Sequence, residues 1–145
     1  MWILRPASVR QISLGLTVLR IVAGITICMH GYLKLFVFGF GGVTGAFTQM
    51  GIPLPGLTGP GIGLLEFFGG VALIIGLFVR PLATLLALDL LGAILFVRMK
   101  GGFFAPNGAE LEFMLFGAFL ALALAGAGGY SADAAIARRS GQAVP

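Results

Sequence analysis

Charge is scarce in this chain. Of its 145 residues only 10% are charged, while 59% are hydrophobic. A soluble domain carries about 25% charged residues. There is too little polar material here to cover a water-facing surface, so a polytopic membrane protein is implied. Cysteine is scarcer still. Cys28 is the sole one, which excludes an intrachain disulfide and a dithiol redox centre within one chain. Flanked by Ile27 and Met29, it reads as a small buried hydrophobe. The sole histidine, His30, excludes bis-His haem ligation within one chain and lacks the His or Cys company of a metal site. No covalent or metal cofactor is therefore expected. Walker loops, nucleophile elbows, zinc-ligand spacings and dinucleotide fingerprints are all missing. The glycine run at Gly39–Gly42 follows a membrane helix and lacks the strand that a phosphate loop needs. The net charge of +4 comes from residues scattered or placed at segment ends. With no basic face, nucleic acid is excluded, and lipid headgroups are the better partner.

What the chain has is four long apolar stretches and 24 glycines, a residue common where membrane helices approach closely. The spans are expected at about 12–38, 61–79, 81–99 and 111–128, each near the ~20 residues that cross ~30 Å of hydrocarbon. Pro81 suits a first helical turn. Asn107 with Glu110 reads as an N-cap, and Gly128 with Gly129 as a stop. Arg20 interrupts the first run and no small-x-small site closes it, so no signal-peptide cleavage is expected. The 39–60 segment carries no charge. Its Val43, Ala46, Phe47 and Met50 follow helical spacing, which predicts a short interfacial or re-entrant helix. Ser131 to Arg139 predicts another, capped by Ser131. The fold class is thus all-α: a four-transmembrane-helix bundle with short interfacial helices, one domain over 1–145. Arg5, Arg10, Arg80, Arg138 and Arg139 outweigh Arg98 and Lys100, so the positive-inside rule puts both termini in the cytoplasm. Gly69, Gly70 and Gly76 form a small-residue stripe, and Gly117, Ala121 and Ala125 a second one, suited to packing within the bundle or between subunits of a homo-oligomer.

The few charges inside these spans carry the functional information, because a bilayer excludes unpaired ions. Arg20 and Asp89 each lie eight residues into their span, at ~12 Å depth by the helical rise. An Arg20–Asp89 ion pair between the first and third spans is expected as a structural clamp. His30, Lys34, Glu66, Arg98 and Glu112 gather near the opposite face and form the expected ligand pocket. Glu66 is too short to reach the interface and needs Lys34 or His30 beside it, whereas Lys34 and Arg98 can also snorkel. His30 reads as a pocket residue able to move a proton, or as a structural histidine.

The residues also resemble a family. The order LRIVAGITICMHGYLKLF, MGIPLP and LLEFFGGVALIIGLFVRPLATLLALDLLGAI is similar to the DoxX family of small bacterial membrane proteins, over roughly residues 14–139. The shared features are an Arg early in helix one, HG-x-x-K near its end, Glu before a Gly pair, G-L-x-x-R at Gly76–Arg80, and Gly129-Tyr-Ser-Ala-Asp133. They fall on Arg20, His30, Gly31, Lys34, Glu66, Gly69, Gly70 and Arg80. The resemblance implies a four-helix bundle in the bacterial cytoplasmic (inner) membrane. It also implies company. Some relatives are subunits of an archaeal thiosulfate:quinone oxidoreductase. A mycobacterial one anchors a superoxide dismutase and a thiol-sulfur transferase. Many carry only an oxidoreductase label.

Three functions compete on this reading. One is a redox-linked or oxidative-stress-related membrane subunit, an accessory of a quinone-linked oxidoreductase, whose outer pocket takes a quinone or small polar headgroup. Phe67, Phe68 and Phe103 would then receive an isoprenoid tail. The second is a non-catalytic anchor for soluble redox or sulfur-metabolism proteins. The third is a small-solute transporter, for which four helices are few.

Overall fold

The structure, a computed structural model, describes residues 5–141, and among these the ordered elements are helical. Helix α1 (Val9–Tyr32) runs on through a π-helical segment, Leu33–Phe38. It is followed by α2 (Gly39–Gln49), α3 (Pro55–Ile75) and α4 (Val79–Ala93). A second π-helical turn, Ile94–Arg98, extends α4. Then come α5 (Glu110–Ala125) and α6 (Ala132–Arg139). The stretches Val9–Gln49, Pro55–Ile75 and Val79–Gly101 are long and apolar enough to span a membrane. The 16-residue α5 packs beside α4 as the fourth member of the bundle.

Local chemistry sets the boundaries. Ser8 caps α1 in a capping box, its Oγ accepting from Gln11 N while Gln11 Oε1 accepts from Ser8 N. Pro55 opens α3 at a position where a missing N–H is harmless, which starts that helix well before residue 61. Gly76, at φ +82°, ends it. The expected Asn107 cap is not formed. Helix α5 begins after Ala109, and Glu110 instead accepts from the Ala105 N–H at 3.0 Å. It stops at Gly126, φ +86°, before the Gly128–Gly129 pair. Ser131 does cap α6, accepting from Ala134 N at 3.1 Å. In α2 the buried face is Val43 and Phe47, seated on α3, while Met50 is exposed.

Helices α1 and α3 cross almost backbone to backbone. A Cβ on Gly70 would lie 2.7 Å from Cys28 N, so only glycine permits the approach. The main core joins Ile27, Leu73, Leu86 and Phe119 across the four long helices. The outward faces are apolar as well, with Val22, Phe68, Leu88 and Leu124 exposed. Gly117, Ala121 and Ala125 also face away from the bundle, so the small-residue face of α5 is not used within the chain.

The Arg20–Asp89 clamp does not form. Arg20 is 2% exposed and its Nη2 donates to the Tyr130 carbonyl at 2.9 Å, beside Gly76 and within the field of Asp133. The first turns of α1 reach past the end of the bundle, where Ser13 Oγ accepts from Gly129 N. Arg20 is therefore level with the α3–α4 turn, whereas Asp89 lies ten residues along α4, about 15 Å away by the helical rise. The tail supplies one partner for Arg20, whose Nε and Nη1 stay buried without one among the described residues. It also finishes the turn: Asp133 accepts from Phe78 N (2.8 Å) and Val79 N (3.0 Å), and its own N–H donates to the Gly76 carbonyl. Two N–H donors at the start of α4 are thereby satisfied.

Asp133→Ala should lower stability by about 1–2 kcal/mol, the scale of a lost helix cap. Asp133→Asn, which keeps one acceptor, should lose less. Thermal unfolding of the detergent-solubilised protein reads the order, and an Ala variant as stable as the wild type would count against the cap.

Candidate functional site

The opposite end of the bundle encloses a cavity of about 570 Å³. Phe38, Phe47, Ile62, Leu90, Phe96 and Leu115 give it apolar walls. His30, Lys34, Glu66, Asp89, Arg98 and Glu112 give it ionisable groups, drawn from all four long helices. Helix α2 and the 50–53 segment cover it through Phe47, Met50, Ile52 and Pro53.

Two ion pairs frame the site. Lys34 Nζ donates to Glu66 Oε1 at 2.6 Å and also contacts Oε2. The Glu66 side chain is buried at 6% exposure, while Lys34 keeps 22% of its side chain exposed. Arg98 Nε donates to Glu112 Oε1 at 2.7 Å. Each cation stands in a π-helical segment and each carboxylate on a regular helix. The π turn matters because it inserts one residue into the helical count and rotates the residues beyond it by about 100°. In an uninterrupted helix, Asp89 and Arg98, nine residues apart, would point to opposite sides at ~100° per residue. The π turn over Ile94–Arg98 swings Arg98 back toward the side that Asp89 faces.

The five residues expected to form a pocket, His30, Lys34, Glu66, Arg98 and Glu112, all line this cavity. Asp89, expected with Arg20, joins them instead, its carboxyl facing Glu66 and Lys34. Regular helical spacing gave no signal for it, since without the π turn Asp89 and Arg98 fall on opposite sides of α4. Three carboxyl groups thus face two permanent cations, with His30 half-buried among Lys34, Arg98 and Glu112. Fully ionised, the group carries one excess negative charge, which a proton or a bound cationic group would balance. Glu112 Oε2 is buried without a partner among the described residues, an acceptor left open. Arg98 uses only Nε on Glu112, leaving its terminal nitrogens for a ligand. No cluster of three or more His, Cys, Asp or Glu able to hold a metal occurs among the described residues.

Phe67, Phe68 and Phe103 do not line the cavity. Phe67 stacks edge-on with Phe36 at 5.3 Å, and Phe103 with Phe104 and Phe113. They belong to the outer surface of the bundle.

These features define a helical membrane protein with an ion-paired, lipid-depth pocket. The sequence model of the DoxX family matches residues 15–99. Over 118 residues the chain is 34% identical to "Putative oxidoreductase CatD" of Bacillus subtilis, covering 81% of this chain and 83% of that protein. It is 36% identical over 126 residues to the inner membrane protein YqjF of Escherichia coli, covering 83% and 91%. Against the inner membrane protein YphA of the same organism the identity is 29% over 124 residues, covering 81% and 87%. No solved structure matches. The chain belongs to the DoxX family.

Lys34→Met should destabilise the protein by about 3–5 kcal/mol, since it strands Glu66 in the bundle interior. Lys34→Met with Glu66→Gln should recover most of that loss, because no lone charge remains. Chemical or thermal unfolding of the single and double variants measures the difference, and equal losses in both would show that the pair is not coupled.

Proposed function

We propose that this chain is a quinone-binding, redox-linked subunit of the bacterial cytoplasmic membrane, a single domain with both termini in the cytoplasm. One observation carries the reading: a cavity of about 570 Å³ combines apolar walls with six ionisable side chains at membrane depth. A quinone has matching parts, a flat apolar ring and two carbonyl oxygens that accept hydrogen bonds. The free terminal nitrogens of Arg98 and the third proton of Lys34 are donors for such oxygens. His30, Glu66 and Asp89 are the groups placed to exchange protons. Reduction of a quinone to a quinol takes two electrons and two protons. The side chains handle the protons, and the electrons come from a soluble redox or sulfur-metabolism partner docked on the membrane face. The oxidoreductase name of the Bacillus relative and the inner-membrane names of the Escherichia relatives agree with this assignment.

Purified protein titrated with ubiquinone or menaquinone should show saturable binding. Arg98→Gln and the Lys34→Met/Glu66→Gln double variant should each weaken it roughly tenfold or more, the scale of lost charge-assisted hydrogen bonds. Unchanged binding in both would sink the proposal. A wild type that binds no quinone yet retains a soluble partner in pull-downs would point to the non-catalytic anchor instead.

A further inference from the structure

Three residues on α4 have a double character. Leu88, Gly92 and Phe96 line the cavity, yet Leu88 and Phe96 are also 59% and 49% exposed. A Cβ on Gly92 would meet nothing within 4 Å. Their spacing of four residues sets them in one row along the helix, about 12 Å long at the helical rise. A residue that both lines a cavity and lies open on the flank of its helix marks the edge of a mouth. The facing edge is on α3, where Ile62 also lines the cavity.

The packing explains why a gap opens there. Helices α3 and α4 touch near their shared turn, where a Cβ on Gly69 would contact Leu86 and Leu82 at 3.7 and 3.9 Å. Farther along, each takes another partner: α3 lies tight on α1, and α4 on α5. The two therefore diverge toward the cavity. The end of the cavity is covered by the apolar residues of α2 and the 50–53 segment. The slot runs along a membrane-spanning stretch, so the medium beyond it is lipid hydrocarbon. Asp89, three residues before Gly92, stands at its inner end.

We infer that this slot between α3 and α4 is a lateral opening to the bilayer, through which the polyprenyl tail of the bound quinone leaves the site. The inference rests on the quinone assignment and adds the route of entry and the ligand class. The headgroup sits among the ion pairs, the tail passes over Gly92, and the ligand arrives from the membrane and not from water. Gly92 is then the specificity residue for a tailed ligand, because a bulky side chain there projects into the tail's path, whereas a lone methyl meets open space.

The test uses the full chain in lipid nanodiscs and two probes, a ubiquinone with a short isoprenoid tail and its tail-less counterpart. Gly92→Phe should bind the tailed quinone roughly tenfold or more weakly, the effect of overfilling a formed site, and the tail-less one as the wild type does. Gly92→Ala, which adds a methyl to open space, should bind both normally. The opening is overturned if the Phe variant binds both like the wild type, or if it loses both equally while the Ala variant keeps them. It is also overturned if a phospholipid co-purifies stoichiometrically with the wild type and not with the Phe variant while quinone binding is unchanged. In each of these cases the quinone assignment survives. A wild type that binds neither probe overturns both.

Discussion

The pairing of Lys34 with Glu66 is the constraint on which the pocket end depends. An ammonium and a carboxylate inside a low-dielectric bundle are costly apart and tolerable only together. Their contact ties the π-helical extension of α1 to the middle of α3. Those two helices already cross backbone to backbone at Gly70 and Cys28. With α1 and α3 locked as one pair, and α4 packed on α5 as another, the space between the pairs is left over. The cavity is that space. Arg98 and Glu112 repeat the arrangement across it, so each helical pair contributes one internally compensated ion pair and one face of the site.

The two ends of the bundle solve the same electrostatic problem in different ways. At the pocket end, charge meets charge through side chains, leaving unspent hydrogen-bonding capacity on Arg98 and Glu112. At the other end, the tail folds back. Tyr130 offers a carbonyl to Arg20, and Asp133 offers both carboxylate oxygens to the start of α4. Asp133 is spent on backbone N–H groups, while Arg20 keeps Nε and Nη1 buried without a partner among the described residues. The ends differ in access: the open groups of Arg98 and Glu112 border a cavity, whereas the Arg20 guanidinium is packed against Gly76 and the tail.

Much of the fold was legible because the bilayer restricts what an apolar chain can do. Three long apolar helices, the α2 and α6 segments and the Ser131 cap could be read from composition, spacing and capping residues. Helix ends were less legible where proline and glycine competed as signals. Pro55 opened α3 ahead of the apolar run, and Gly126 closed α5 ahead of a more conspicuous glycine pair. The five pocket residues could be proposed as a group because all four spans deliver an ionisable residue near the same face. Asp89 was misassigned because depth was counted from the start of each apolar run, whereas the first turns of α1 overhang the bundle and set Arg20 level with the tail and the α3–α4 turn. An overhang leaves no mark in an apolar sequence, since residues inside and beyond the bundle look alike.

The sequence by itself determined that this chain is an all-helical membrane protein and that its few interior ions must find partners, because the free energy of a lone ion in hydrocarbon is prohibitive. Which ion finds which was decided by tertiary structure alone. The overhang of α1 set Arg20 level with the tail, and the π turn at Ile94–Arg98 rotated a cation into the cavity. The divergence of α3 from α4 opened the slot at Gly92. Each of these depends on a rotation or a helical offset, and a one-dimensional order of residues does not carry either.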